Sequence, residues 1–240
     1  TTVQLALAGT AIAFVLALLM VFLRIQEPDK RDNDFVKFLK IVANKFSRFY
    51  IFVIRGTPMM VQSLIFYYAI FNLFKRTGMS VTEINRVWSL FISGLVTVSL
   101  NSTAYLAEVL RGGILAVDAG QMEAARSLGM THWQAMRRVV FPQAIKNSLP
   151  AIGNEFIINI KDSSVLCVLG VSDLMFMTRS VAGIYYKGTE CYLIAATVYL
   201  FLTYLSSLLL KAITGRMTAP DNTKRRQGNQ TVDLGLPSSN

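Results

Sequence analysis

Metal and redox chemistry find little to work with in this sequence. It holds two cysteines and one histidine in 240 residues, and none of them stands at metal-ligand spacing. Cys167 and Cys191 fall near the outer ends of two expected helices; two isolated buried thiols are the commoner case, and a disulfide stays geometrically open. His132, beside Trp133, reads as a solvated or interfacial residue and is assigned no chemistry. The phosphate cradle G-x-x-x-x-G-K-[ST] is missing, and the nearest stretch, GIYYKGT, has the wrong spacing, so the chain does not hold ATP in that way. Charge is scarce as well, at 16% of residues against about 25% in soluble domains.

Apolar residues are plentiful, at 53% with a mean hydropathy of +0.45. Crossing a hydrocarbon core takes about 20 such residues in a row. Runs of that kind stand at about 3–23, 49–74, 88–110, 147–170 and 190–211. These predict an all-α polytopic membrane protein with five spanning helices. The first run, VQLALAGTAIAFVLALLMVFL, is too long for a signal-peptide core and lacks a small-residue cleavage site after it, so it reads as a retained span.

A formal charge of +10 invites a nucleic-acid reading, but the basic residues sort by loop. Segments 24–48, 111–146 and 211–240 hold 7, 5 and 5 Lys/Arg, whereas 75–86 and 171–190 hold 3 and 2. By the positive-inside rule this places the N-terminus outside and the C-terminus in the cytoplasm.

Between the first two spans comes a charged turn, QEPDKRDND, and then FVKFLKIVANKFSRF. There Lys37, Lys40, Asn44 and Ser47 recur at helical spacing against Phe38, Leu39, Ile41, Val42 and Phe46. This predicts an amphipathic helix on the inner leaflet, a solvated connector rather than a brace or lipid contact. Arg55-Gly56-Thr57-Pro58 interrupts the second span and predicts a kink or break. Residues 75–86 and 171–190 read as outer loops, with MFM at 175–177 as apolar packing. The polar stretch 216–240 reads as a disordered tail.

The inner segment 118–142 predicts two short capped helices. Asp118 with Gln121, and Thr131 with Gln134, both have capping-box spacing. Gly129 suits a left-handed C-cap, and Pro142 is expected to close the second helix. Periodicity alone leaves this a helical hairpin, resting on lipid or on a partner.

Charged side chains at mid-bilayer cost about 2.5–3.5 kcal/mol each, so Arg55, Glu108, Glu155, Lys161 and Asp162 should face protein or water. Asn101, Tyr105 and Glu108 share one helix face by their i, i+4, i+7 spacing. Asn154, Glu155, Asn159, Lys161, Asp162, Ser163 and Ser164 form a second polar block. Either block could line a path or serve as interhelical glue, worth about 0.6–2 kcal/mol per hydrogen bond.

EAARSLGMTHWQAMRRVVFPQA resembles the EAA motif of ATP-binding-cassette importer permeases: E-A-A, three residues, G, nine residues, I, one residue, L-P. Glu123, Ala124, Ala125, Gly129 and Pro142 fall on it, while Val139 and Phe141 stand where Ile and Leu are usual. FVIRGTPMMVQ resembles the family's R-G-T-P-L-L-V-Q signature. NSTAYLAEVLRGGILAVDAGQMEAA and GNEFIINIKDSSVL resemble its polar amino-acid branch, with Ser163 and Val165 replacing Thr and Leu in a K-x-T-S-L element. The likeness runs from about residue 3 to 213.

The resemblance implies the type I importer permease fold, with a cytoplasmic coupling helix. It implies a bacterial inner-membrane transport subunit without catalysis or cofactor of its own, ATP and Mg residing on partner ATPase subunits. The other implied partners are a second permease subunit, identical or related, a substrate-binding protein outside, membrane lipid and an amino-acid substrate. Glu123, Ala124, Ala125, Ser127, Leu128, Gly129 and Met130 would meet the ATPase. Thr57, Gln62, Asn101, Tyr105, Glu108, Asn154, Lys161, Asp162, Ser163 and Ser164 are the candidates for the substrate path, since they could supply donors for a carboxylate and acceptors for an ammonium. Two other readings stand beside this one: an ion-coupled secondary transporter or channel with Glu108, Lys161 and Asp162 as relay, and a non-transporting anchor for an ATPase.

Overall fold

A chain this apolar satisfies its backbone polar groups within helices when water is scarce. The computed structural model describes residues 1–26 and 32–217, and every regular element among them is helical. In chain order these are α1 (Thr2–Ile25), α2 (Asp34–Gly56), α3 (Met59–Arg76), α4 (Val81–Val87), α5 (Leu90–Leu115), α6 (Ala119–Ser127), α7 (His132–Ala135), α8 (Phe141–Asp162), α9 (Leu174–Tyr185) and α10 (Gly188–Met217). A π turn, Met136–Val140, joins α7 to α8, and a 3-10 stretch, Ser163–Leu169, follows α8. Residues 27–31 of the charged turn and 218–240 of the expected tail lie outside the described residues.

The core is the meeting of α1, α5 and α8. Small residues make it possible: α1 buries Ala6, Gly9, Ala13 and Ala17 on one face, and small side chains let helix axes approach where hydrocarbon gives no hydrophobic drive. Ala13, Ala17 and Val21 pack with Ala104, Leu106, Ala107 and Leu110 of α5 and with Ile51 and Ile54 of α2. Nearer the other end, Leu5, Val98, Leu166 and Val171 form a second cluster. Where α5 meets α8, a Cβ on Gly113 would lie 2.1 Å from Ser148 Oγ and 2.6 Å from the Ala144 carbonyl oxygen.

Three helices are long and apolar enough to cross a membrane singly: Thr2–Ile25, Leu90–Leu115 and Gly188–Gly215. The count reaches five when each of two bent pairs is taken as one span. The predicted second span, 49–74, is such a pair, because α2 and α3 meet at 112°. Pro58 N-caps α3, where a missing backbone N–H costs nothing, and its carbonyl accepts from the N–H groups of Val61 and Gln62. The expected break is therefore a full corner.

The segment expected as a solvated connector is continuous with this span and acts as a brace. Asn44 Nδ2 donates to the Arg24 carbonyl at 2.7 Å, and the fully buried Ser47 donates from Oγ to the Met20 carbonyl at 3.1 Å. The polar face of α2 grips α1, while Phe35, Phe38, Phe46, Phe49 and Phe52 are exposed. That is the reverse of a soluble helix and suits an apolar solvent.

Other expectations are corrected. The outer loop at 75–86 contains α4, started by a complete Ser80–Glu83 capping box, and 171–190 contains α9. Pro142 does not end a helix; helical structure continues from His132 to Leu169. The π turn supplies the reason: its wider winding offers room for a ring that would clash with the preceding turn of an ordinary α-helix.

The close approach at Gly113 is testable. Gly113→Ala is expected to destabilise the protein by about 1–3 kcal/mol, as overpacking does. Gly112→Ala, where an added Cβ meets nothing within 4 Å, should leave the thermal midpoint in detergent essentially unchanged.

Candidate functional site

Two regions carry polar chemistry that packing alone does not require: an exposed elbow at 118–135 and a set of polar groups within the helical core.

The elbow is locked at each end. Asp118 caps α6 by accepting from the Gly120 N–H at 2.7 Å. The expected capping box with Gln121 is not made; instead Gln121 Oε1 accepts from Gln143 Nε2 at 3.3 Å, tying α6 to α8. Gly129 has φ +84°, so it takes the left-handed C-cap position that L side chains disfavour. The Gly129 N–H donates to the Arg126 carbonyl and the Met130 N–H to the Ala125 carbonyl, a Schellman closure. Thr131 and Gln134 form the predicted capping box two residues later.

Of the residues expected to meet a partner, Glu123, Ala124, Ser127, Leu128 and Gly129 are exposed, and Leu128 is 81% accessible. Met130 is half-buried. Ala125, at 4%, faces back onto its own chain.

Within the core, Asn159 of α8 links three helices. Its Nδ2 donates to Thr10 Oγ1 of α1 at 2.9 Å, and its Oδ1 accepts from Ser102 Oγ of α5 at 2.9 Å. Thr10 in turn donates to the Ala6 carbonyl at 2.7 Å. Ser102 is fully buried, and Glu155, one turn before Asn159 on the same face, is buried too. Ser163, also fully buried, donates to the Ile160 carbonyl.

The α2–α3 corner is held by Gln62. Its Nε2 lies 2.7 Å from the Ile54 carbonyl, 3.0 Å from the Thr57 carbonyl and 2.8 Å from Thr57 Oγ1. Its Oε1 accepts from Asn101 Nδ2 at 2.9 Å. Gln62 and Asn101 are therefore buried and already bonded, and Thr57 Oγ1 donates to the Val53 carbonyl.

The α5 stripe divides along its length. Asn101 points into the corner. Tyr105, 38% exposed, lies beneath the Arg55 guanidinium, 5.2 Å from ring centroid to carbon. Glu108 accepts from Arg24 Nη1 of α1 and, at 3.0 Å, from Arg111 Nε. Nothing about Arg24 marked it in the sequence as a partner for Glu108, beyond its position at an expected inner helix end.

On α8, Asn154 and Lys161 share the face opposite Asn159 and are exposed. Lys161 makes no ion pair among the described residues; its neighbour Asp162, half-buried, feels its charge. Ser164 is half-buried. A lysine on an open face at span depth is costly in lipid, so that face needs protein or water against it. Among the described residues no group of His, Cys, Asp and Glu is placed to hold a metal ion.

The sequence matches the family described as binding-protein-dependent transport system inner membrane component over residues 36–219. The probable amino-acid permease protein YxeN of Bacillus subtilis (strain 168) is 37% identical over 182 residues, which cover 76% of this chain and 78% of that one. The glutamine transport system permease protein GlnP of Escherichia coli (strain K12) is 34% identical over 176 residues, covering 73% and 76%. A solved structure described as an amino acid ABC transporter with histidines superposes with a TM-score of 0.73 at 39% identity, covering 90% of each chain.

Glu108 can be sorted between path and clamp by a double-mutant cycle. Arg24→Gln and Glu108→Gln are each expected to lower thermal stability, and the double variant to lose less than their sum by about 1–2 kcal/mol. If Glu108 is only a clamp, the double variant also regains solute uptake relative to Glu108→Gln; a path ligand would leave it inactive.

Proposed function

Because this chain belongs to the family of binding-protein-dependent transport system inner membrane components, we propose that it is the membrane-spanning permease subunit of an ATP-driven importer of polar amino acids. The named functions of its relatives and the amino acid transporter whose fold it shares support that substrate class. Two ATPase subunits, carrying ATP and Mg, work on the inner side, a substrate-binding protein delivers the amino acid outside, and a second permease subunit completes the path. The N-terminus lies outside and the C-terminus in the cytoplasm, in keeping with the distribution of basic residues.

The observation that carries the reading is the elbow with its rod. Glu123, Ala124, Ser127, Leu128 and Gly129 present an exposed surface for an ATPase groove. Behind that surface the Schellman turn and the capping box fix the angle between α6 and α7. From His132 helical structure runs unbroken to Leu169 and carries Glu155 and Asn159 of the polar core. A displacement of the elbow thus reaches the core through continuous helical structure, with the π turn and the interior Pro150 along its length, where a loose loop would absorb it.

The path forms against the second permease subunit, on faces that this chain leaves open. Asn154 and Lys161 on α8 supply donors for a carboxylate, and Tyr105, 38% exposed, adds its hydroxyl as an acceptor for an ammonium. Thr57, whose own hydroxyl already donates to the Val53 carbonyl and accepts from Gln62, borders the corner. Asp162 and Ser164 border the α8 face. Gln62, Asn101 and Ser163 support it from within, as their internal hydrogen bonds are already complete.

Reconstitution with the ATPase subunits and binding protein is expected to give ATP-dependent uptake of labelled polar amino acids. Uptake driven by an ion gradient with no ATPase present would overturn the reading. Gly129→Val forces a β-branched residue into a left-handed turn and should cut uptake at least tenfold while the complex still assembles. Gly78→Val, with the same strain at φ +86° but far from the elbow in sequence, should retain uptake.

A further inference from the structure

Between the C-terminal end of α1 and the N-terminal end of the rod lies a pocket of ≈ 260 Å³. Leu18, Phe22 and Ile25 line it from one face of α1, at i, i+4 and i+7. Trp133, Met136 and Arg137 line the other side. Phe22 and Trp133 meet edge to face, with ring centroids 5.8 Å apart, yet both rings stay accessible, at 44% and 54%.

The lining selects its occupant. The walls are almost entirely apolar, so water is a poor filler. At roughly 30 Å³ for each small group, the space takes several methylenes of one chain and no folded segment. Arg137 is exposed and forms no ion pair among the described residues. A tryptophan and an arginine beside the end of an apolar helix, as Trp133 and Arg137 are beside the C-terminal turn of α1, mark the depth at which hydrocarbon gives way to headgroups. An occupant therefore needs an aliphatic tail and an anionic head, at a membrane surface.

We propose that this pocket binds an anionic phospholipid, with one acyl chain against Leu18, Ile25 and Met136 beside the Phe22–Trp133 ring pair and its phosphodiester on Arg137. Met136 and Arg137 belong to the π turn, the joint between the elbow and α8. A lipid seated there ties that joint to α1 and makes the coupling of elbow to core depend on lipid charge. This consequence rests on the elbow being the ATPase contact; the binding itself does not.

Bromine-labelled lipids, which quench tryptophan on contact, test the site in the full chain. The protein is reconstituted in vesicles of phosphatidylcholine with equal mole fractions of brominated phosphatidylglycerol or brominated phosphatidylcholine. The Trp133 signal is the difference between the unaltered chain and Trp133→Phe. Phosphatidylglycerol is expected to associate about fivefold more strongly, as for one basic contact at a charged surface. Arg137→Gln should bring the ratio close to one, and Ile25→Phe, by filling the pocket, should reduce quenching by both lipids.

Equal quenching by the two lipids, a preference that survives Arg137→Gln, or no quenching by either because protein covers Trp133 would each overturn the proposal. No transport is measured, so such a failure leaves the importer reading standing. Absence of ATP-driven uptake alongside intact lipid selectivity would remove that reading and keep the lipid site.

Discussion

The amide of Asn159 bridges Thr10 and Ser102, and this bridge holds only if three helices come close together. In a membrane that closeness cannot be driven by excluding water from apolar surfaces, since the surroundings are equally apolar. It depends on small residues and on polar groups with nowhere else to bond. Ala6, Gly9, Ala13 and Ala17 bring α1 in, and Gly113 admits α8 to within touch of α5. The amide then satisfies both neighbours at once. Removing the small residues would leave the polar groups stranded, and removing the polar groups would leave close contacts without direction.

The same economy governs the ends of the helices. Gln62 gathers the carbonyls exposed where α2 stops at the corner, so a 112° bend leaves those acceptors bonded. The π turn accommodates Pro142 without interrupting the rod. One proline makes a corner and the other leaves helical structure continuous. The difference lies in position: Pro58 stands before the first turn of α3, whereas Pro142 follows a widened turn that makes room for its ring. From the elbow to the polar core, helical structure consequently runs without an intervening loop from His132 to Leu169.

Charge follows the same rule of bonding whatever is enclosed. Glu108 lies between Arg24 and Arg111 and stitches α1 to α5. Lys161 has no such stitching among the described residues and stands on an open face. A buried polar group is costly unless bonded, so bonded groups read as architecture and unbonded ones as surfaces that await a solute, water or another subunit.

Much of this was legible from local chemistry. Helical class, the breaks at Gly129 and Thr57-Pro58, the Thr131–Gln134 cap and the membership implied by the E-A-A and R-G-T-P stretches all follow from short-range rules, because capping, proline geometry and glycine conformation act within a few residues. The α4 cap is equally local, since Ser80 followed three residues later by Glu83 has capping-box spacing. Long-range facts were not accessible in this way. Whether Asn101 lines a path or props a corner, whether Glu108 meets a solute or Arg24, and whether the polar face of α2 looks to water or to α1 depend on which helix lies alongside. Periodicity identifies a face but not its neighbour; the packed structure supplies the neighbours, bonding Asn101 to Gln62, Glu108 to Arg24 across 84 residues of sequence, and Asn44 and Ser47 of α2 to α1.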